Sequence, residues 1–227
     1  MDFDTVLLER RSIRGYKPDP VPRKVLEEII ALAIRSPSSM NTQPWHFWVV
    51  TGEPLDRIRK GNTERNLAGV PASREIRAHG AYQGKHRDRQ KEIAVQLYDA
   101  MGIAWEDKER RNDWVLRGFR QFDAPACVVM TYDKELQNGD IAQFDVGAVV
   151  NSMVLAAWSR GLGCVINSQG IMQSPVVREH TGIPDDQLIQ TCVAIGYPDF
   201  TFAANEVRSK RSPVSEVTRF VGFPEED

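Results

Sequence analysis

The chain of 227 residues is short of cysteine, of net charge and of long unbroken apolar runs, and each shortage removes a class of function. Cys127, Cys164 and Cys192 are odd in number, far apart and set in β-branched runs that read as buried strands, so reduced core thiols are expected rather than a disulfide framework. His46, His79, His86 and His180 show no spacing that puts two ligands on one helical face, and no cysteine lies near enough to complete a zinc pattern. No metal site is expected. A formal net charge of -2 gives no general attraction to nucleic acid or to an anionic membrane surface. The most apolar window, Val146 to Trp158, is broken by Asn151 and Ser152 and falls short of the roughly 20 residues that cross a bilayer. The start, Met1-Asp2-Phe3-Asp4, lacks the basic end and apolar core of a secretory signal, so a cytoplasmic protein is expected.

Several chemical signatures are missing too. Gly161-Leu162-Gly163 follows a helix pattern and is no dinucleotide fingerprint, and neither Gly-Lys-Ser/Thr nor Gly-x-Ser-x-Gly occurs, which removes the usual nucleotide hydrolases and serine hydrolases. No side-chain pair announces an acid, a base or a nucleophile. That fits an enzyme whose chemistry belongs to a cofactor, with the protein supplying binding, orientation and charge.

What the chain does hold is ordinary globular material, 41% hydrophobic and 26% charged, sized for one domain over 1–227. Phe3, Val6, Leu7 and Arg10 recur at helical spacing; Pro22 opens a helix from Arg23 to Arg35 whose Val25, Leu26, Ile29, Ile30, Ala33 and Ile34 form one stripe. Strands are expected over Phe47–Val50, Ala126–Tyr132, Cys164–Ile166 and Leu188–Ile195, with a short helix over Pro175–Thr181. From Ile141 to Trp158 apolar residues occur all around the helix, with Asp140 a candidate N-cap and Gly161 ending it, so it must be buried on most sides. Between about 61 and 120 the chain turns charge-rich, and helical periodicity over Tyr82–Met101 and Glu106–Phe119 marks a lid-like insertion. Its buried side would be Ile93, Leu97, Met101, Trp105, Trp114 and Leu116.

Three polar or basic stretches stand out. Leu8-Glu9-Arg10-Arg11-Ser12-Ile13-Arg14 packs three arginines and a serine at a helix end, suited to an anion because a guanidinium fork matches phosphate; a solvated helix C-terminus is the bland alternative. Ser36-Pro37-Ser38-Ser39-Met40-Asn41-Thr42-Gln43-Pro44-Trp45 is a small polar loop anchored by a core strand, a good place for function. Arg208-Ser209-Lys210-Arg211-Ser212-Pro213 is a second basic segment, before an extended tail.

Arg-Arg-Ser-x-Arg, then Pro-Ser-Ser-x-Asn-x-Gln-Pro-Trp, then the late basic segment together resemble the FMN-dependent nitroreductase family, from about Leu7 to Phe223, with no matching motif between Gly61 and Gly118. The resemblance implies an α+β nitroreductase-like fold: a central, mainly antiparallel four-stranded sheet, helices on both faces, and a C-terminal tail exchanged between the subunits of an obligate homodimer. It implies FMN as cofactor, NAD(P)H as reductant, and a nitroaromatic or other electron-poor acceptor reduced by a ping-pong two-electron mechanism. Arg10 and Ser12 would hold the phosphate with Arg211. Arg14 would lie near the N1–O2 edge, where positive charge stabilises the anionic reduced flavin, and Arg11 and Lys210 belong to the same cationic sets. Pro37, Ser38 and Ser39 would come from the partner to pack on the isoalloxazine, with Asn41 or Gln43 reaching a polar atom of it. Ser168, Gln169 and Gly170 occupy the loop whose backbone N–H in the family faces N5.

Ser38 and Ser39 capping a turn, Asn41 bonding its own backbone and Gly170 permitting a positive φ are the bland alternatives. Tyr82, Trp105, Trp114 and Phe122 are the candidate substrate residues. Two departures from the family pattern are visible: Ser209 stands where a second basic residue often precedes the arginine matched by Arg211, and the lid has no counterpart to the family's substrate contacts. Quinone reduction, reductive dehalogenation, flavin fragmentation and non-catalytic flavin binding are the rival readings.

Overall fold

A computed structural model describes residues 1–76 and 80–223; His79, one of the four histidines weighed as metal ligands, lies outside them. The helices among the described residues are α1 (Phe3–Glu9), α2 (Arg23–Ala33), α3 (Gly52–Leu67), α4 (Gly84–Ala100), α5 (Lys108–Phe119), α6 (Ile141–Trp158), α7 (Ser174–Thr181) and the single turn α8 (Val214–Val217). The strands β1 (Trp45–Thr51), β2 (Ala126–Asp133), β3 (Gly163–Ile166) and β4 (Gln187–Gly196) form one sheet in the order β1-β2-β4-β3, antiparallel at every step.

The sheet is covered on both faces, which is why β2 reads as an unbroken apolar run rather than an alternation. Ala126, Val128, Met130 and Tyr132 meet α2 and α6 through Leu26, Ile29, Val149 and Met153. Cys127 and Val129 meet Leu55 and Ile58 of α3 and Val177 of α7 on the other face. All three cysteines are free and buried. Among the described residues the C-terminal segment adds no strand to this sheet.

The observed strands and most helices match the expected ones within about two residues at their ends, and three findings differ. α3 is absent from the expected elements, because only Leu55, Ile58 and Asn62 of its residues are buried and most of the rest are charged or polar. It runs through 61–67, the opening of the expected insertion, yet belongs to the sheet-packing layer. In the lid Leu97 is buried as expected, but Trp105 is 51% exposed, and Ile103 and Phe119 take core positions instead. Asp140 stands before α6 but its side chain makes no capping bond, whereas Asp107 caps α5 by accepting the Arg110 N–H at 3.0 Å.

α6 is long and apolar enough to cross a membrane by length and composition alone, but it packs between α2 and the sheet with Val149, Met153 and Ala157 fully enclosed. One face stays open. Ile141 and Phe144 are 61% and 76% exposed, and Gly147 and Asn151 continue that stripe.

Candidate functional site

The basic cluster forms because α1 stops at Glu9 and the chain then runs extended along the edge strand, where Ser12 bridges Cys164 in parallel and the Ile13 N–H donates to the Cys164 carbonyl at 3.0 Å. Asn205, fully buried, fixes the backbone of the next two residues, Arg14 and Gly15. Its Oδ1 accepts the N–H groups of Arg14 (2.7 Å) and Gly15 (3.2 Å), and its Nδ2 donates to the carbonyls of Gly15 (2.7 Å) and Asp199 (2.8 Å). Gly15 has to be glycine here, because a Cβ would lie 2.3 Å from the Phe202 ring.

Arg10, Ser12, Arg208 and Arg211 line one cavity of about 200 Å³, with Glu9 also in its wall. Among the described residues Arg10, Arg208 and Arg211 make no ion pair. Burial, and then the charge of Arg211, depress the pKa of Arg10. Like charges gathered without a counter-ion are costly unless an anion joins them, and a phosphate matches guanidinium forks in size and donors. Arg14 is a second cation of this kind. Burial lowers its pKa, its closest acceptor is the Ser12 carbonyl at 3.5 Å, its guanidinium lies 6.0 Å from the Phe122 ring, and among the described residues no carboxylate pairs with it. Cys164 beneath the cluster is no nucleophile: burial pushes its thiol up to about 12, with Arg10 pulling slightly the other way.

Two of the expected cations have partners of their own, and one of them, Arg11, also lies in the wall of the same cavity. Arg11 donates from Nε to the Asn205 carbonyl at 2.5 Å, pairs with Glu206 at 3.4 Å and lies over the rings of Trp158 and Phe200. Lys210 pairs with Glu92 at 3.1 Å, on the α4 side of the tail. Arg208 takes the cavity position that the sequence suggested for Lys210.

The loop 36–43 sits at the other end of α6. The buried carboxylate of Asp145 accepts the Ser39 N–H at 3.1 Å, Ser36 Oγ bonds Ser152 Oγ at 2.6 Å, and Ser38 Oγ accepts the Gln43 N–H at 3.0 Å, which is a turn-capping role. Gln43 Nε2 donates to the Asn41 carbonyl at 3.3 Å. Met40, Asn41 and Gln43 have φ of 48°, 60° and 47°, and Pro37, Ser39, Asn41 and Gln43 are exposed. Asp145 and Trp158, which mark the two groups along α6, are thirteen residues apart, about 20 Å at the helical rise. Within one chain the loop does not meet the cations.

A third group surrounds Ser168. A cavity of about 320 Å³ is bounded by Ser168 and Ile166 at the end of β3, by Gln143, Val146 and Gly147 of α6, and by Arg74 and Gln190. Among the described residues the Arg74 Nε donor and the Gln190 Oε1 acceptor, on residues lining that cavity, are buried without partners. Neither stands out in the sequence, since isolated residues of those types carry no spacing signal. Gln169 and Gly170 lie beside the cavity in a 3-10 turn; the φ of Gly170 is not positive, and its glycine instead allows close packing, a Cβ there lying 2.7 Å from Cys192 Sγ.

The aromatic candidates divide. Trp114 stacks on Phe202 at 6.3 Å and tilts against Phe122 at 6.5 Å, so these two join the Arg14 side. Trp105 packs with Tyr98 at 5.9 Å under the guanidinium of Arg111, away from that group, and Tyr82 is 44% exposed ahead of α4.

A doubly covered antiparallel sheet with unpaired guanidiniums at one edge and an unpartnered donor and acceptor beyond it can bind an anionic, heterocyclic cofactor, and it offers no nucleophile of its own. The chain belongs to the nitroreductase family, whose model matches residues 7–197. It is 32% identical over 224 residues to the chloronitrobenzene nitroreductase of Comamonas testosteroni, with 96% of each chain covered, and 32% identical over 222 residues to the nitrobenzene nitroreductase of Ectopseudomonas oleovorans, again with 96% of each covered. The crystal structure of the FMN and NADPH-dependent nitroreductase NfnB from sphigopyxis sp. strain HMH superimposes with a TM-score of 0.92 at 28% identity, over 98% of this chain and all of that one.

Proposed function

We propose that the protein is a homodimeric FMN-dependent NAD(P)H oxidoreductase that reduces nitroaromatic compounds. The observation that carries this reading is the set of cations without carboxylate partners among the described residues, half-buried Arg10 and Arg14 with exposed Arg208 and Arg211, in a family member with relatives named for nitroarene reduction. Arg10, Ser12, Arg208 and Arg211 hold the phosphate. Arg14 supplies positive charge to the ring system, and Arg74 and Gln190 offer the donor and acceptor that a pyrimidine edge, with both carbonyl and N–H, satisfies. FMN held there would supply two-electron chemistry between NAD(P)H and the acceptor, in which a nitro group with two electrons and two protons becomes a nitroso group and water, and two more of each give the hydroxylamine.

The homodimer reading comes from where the parts lie. The loop meets α6 between Asp145 and Ser152 and the cation cluster lies toward Trp158, and a two-fold pairing through the open stripe of α6 would set the loop of one protomer against the cations of the other. In that arrangement Pro37, Ser38 and Ser39 serve the partner's flavin. The exposed apolar residues of the tail, Val214, Val217, Phe220, Val221 and Phe223, gain cover by lying on the partner. Trp114 and Phe122 then border the acceptor site from the Arg14 side.

Protein purified and reconstituted with FMN should hold one flavin per chain and oxidise NAD(P)H in the presence of nitrobenzene with parallel double-reciprocal lines. A chain that retains no FMN after gel filtration overturns the reading.

A further inference from the structure

α3 presents two polar side chains one turn apart, Arg59 and Asn62, that point into the protein rather than to water. Asn62 is fully buried and all of its polar atoms are used. Its Nδ2 donates to the carbonyls of Gln169 (2.9 Å) and Phe119 (3.2 Å), and its Oδ1 accepts the Gln173 N–H at 3.1 Å. One side chain thus ties both ends of the turn after Ser168 to the last residue of α5. Arg59 donates from Nε to the Arg120 carbonyl at 2.9 Å and from Nη2 to the Ala124 carbonyl, and so clamps the turn 121–123.

That clamped turn is strained. Gln121, Phe122 and Asp123 carry φ of 48°, 53° and 57° in succession, a conformation that costs each non-glycine residue about 1 kcal/mol or more and persists only when its surroundings hold it. Its product is a placement: Phe122 comes under Arg14, and buried Gln121 donates from Nε2 to the Gly170 carbonyl at 2.9 Å. Asn167 adds a third link, donating to the Gly118 carbonyl at 2.6 Å while accepting the Gln169 N–H at 3.0 Å. Gly118 lets α5 close on this turn, since a Cβ there would meet the Gln169 amide at 2.0 Å. Three buried amides therefore fix the Gln169–Gly170 backbone, and apolar residues would fill the same volume without desolvating a polar group. Asn62 and Asn167 are fully bonded, Gln121 Oε1 is buried without a partner among the described residues, and the bonds that do form tie the turn to one geometry.

We infer that Asn62 and Gln121 are positioning residues for the flavin reaction, holding the backbone of Ser168–Gln169–Gly170 at one setting against the end of the lid helix α5. The inference rests on the flavoprotein reading. By the family resemblance a backbone N–H of this turn would face N5, and such a donor finds a good in-plane acceptor in the oxidised flavin, whereas after two-electron reduction N5 carries hydrogen and its remaining lone pair is drawn into the ring system, a poorer acceptor. The donor therefore favours the oxidised form, and loosening the turn raises the midpoint potential. Asn62 reaches only backbone, so its effect on the potential has to pass through the turn.

The test compares FMN-loaded wild type with Asn62→Leu and Gln121→Met, each close in volume to the residue it replaces. The measurements are redox titration and hydrogen exchange of the peptides covering 118–123 and 167–173. The expected result is a positive shift of the potential equal to roughly a tenfold change in the oxidised-to-reduced ratio, about 30 mV for a two-electron couple. Protection should fall in both peptides together, and FMN should remain bound. If Asn62→Leu does not fold, Gln121→Met alone decides. A folded variant with the wild-type potential overturns the inference, whatever its thermal stability. Wild type that binds no FMN removes the flavoprotein reading and this inference with it, whereas a wild type that titrates normally beside unmoved variants removes this inference alone.

Discussion

Arg14→Met separates binding from folding, because the two should move in opposite directions. Among the described residues the Arg14 guanidinium makes one hydrogen bond, at 3.5 Å to the Ser12 carbonyl, and lies 6.0 Å from the Phe122 ring. The bond is at the limit of useful geometry, and the ring contact is worth about 0.5–1 kcal/mol. Against these stands the desolvation of an unpaired charge, which lowers the pKa of Arg14. A base whose folded pKa is depressed below its unfolded value is destabilising at every pH below the folded value and is relieved only above it. At neutral pH the charge is therefore a burden on the flavin-free fold. Methionine keeps the packing and removes the charge, so flavin-free stability should stay within about 1 kcal/mol of wild type or rise. FMN binding should weaken by about 1.5–3 kcal/mol, the range for a hydrogen bond to a charged group, or roughly 10- to 150-fold in Kd. Urea unfolding of the flavin-free protein and quenching of FMN fluorescence measure the two quantities. A variant that loses several kcal/mol without flavin and still binds FMN as tightly as wild type would refute the reasoning and make Arg14 a structural residue.

Phe144→Asp places a charge on the open stripe of α6, where Phe144 is 76% exposed in one chain; sedimentation should show monomer, with FMN lost in parallel, and a variant that stays dimeric would remove α6 from the interface. Cys164, pushed up to about 12, should remain a thiol and resist alkylation in native protein at pH 8, along with buried Cys127 and Cys192; rapid labelling of any of them without denaturant contradicts the burial. Trp114→Ala should change kcat/KM ratios between bulky and small nitroarenes several-fold, whereas Trp105→Ala, which removes a ring packed on Tyr98, should change stability alone; the reverse pattern would place the acceptor site on the Trp105 side.

The parts of this molecule that are legible in the sequence are those where one physical demand dominates. β2 and β4 announce themselves because strands covered on both faces need β-branched residues at nearly every position, and α6 does so because a helix enclosed by α2 and the sheet cannot carry polar residues on most sides. Arg10, Ser12 and Arg14 are legible as a cluster because all three fall within five residues. α3 is not, since a surface helix that buries only Leu55, Ile58 and Asn62 leaves a periodicity too thin to read. Arg74, Asp145, Asn205 and Arg59 act across long sequence separations, and a single residue meeting a distant backbone leaves no spacing to detect. The pairing of Lys210 is illegible for a related reason: only the position of Glu92 on α4 decides which cation of the segment is drawn to it. Gln121–Phe122–Asp123 gives no hint of three left-handed residues, because none of them is glycine and the strain is held by partners elsewhere.

Anaerobic double-mixing stopped flow tests the central claim most directly. FMN-loaded protein is mixed first with NADPH or NADH and then, after excess nucleotide has been consumed, with nitrobenzene, while flavin absorbance at roughly 450 nm, in the oxidised band, is monitored. The account predicts that the first mix bleaches the bound flavin and that the second restores it at a rate proportional to nitrobenzene concentration, with nitrosobenzene or its hydroxylamine as product. Flavin that remains oxidised in the presence of both nucleotides, or that is reduced and then left unchanged by the nitroarene, would contradict it.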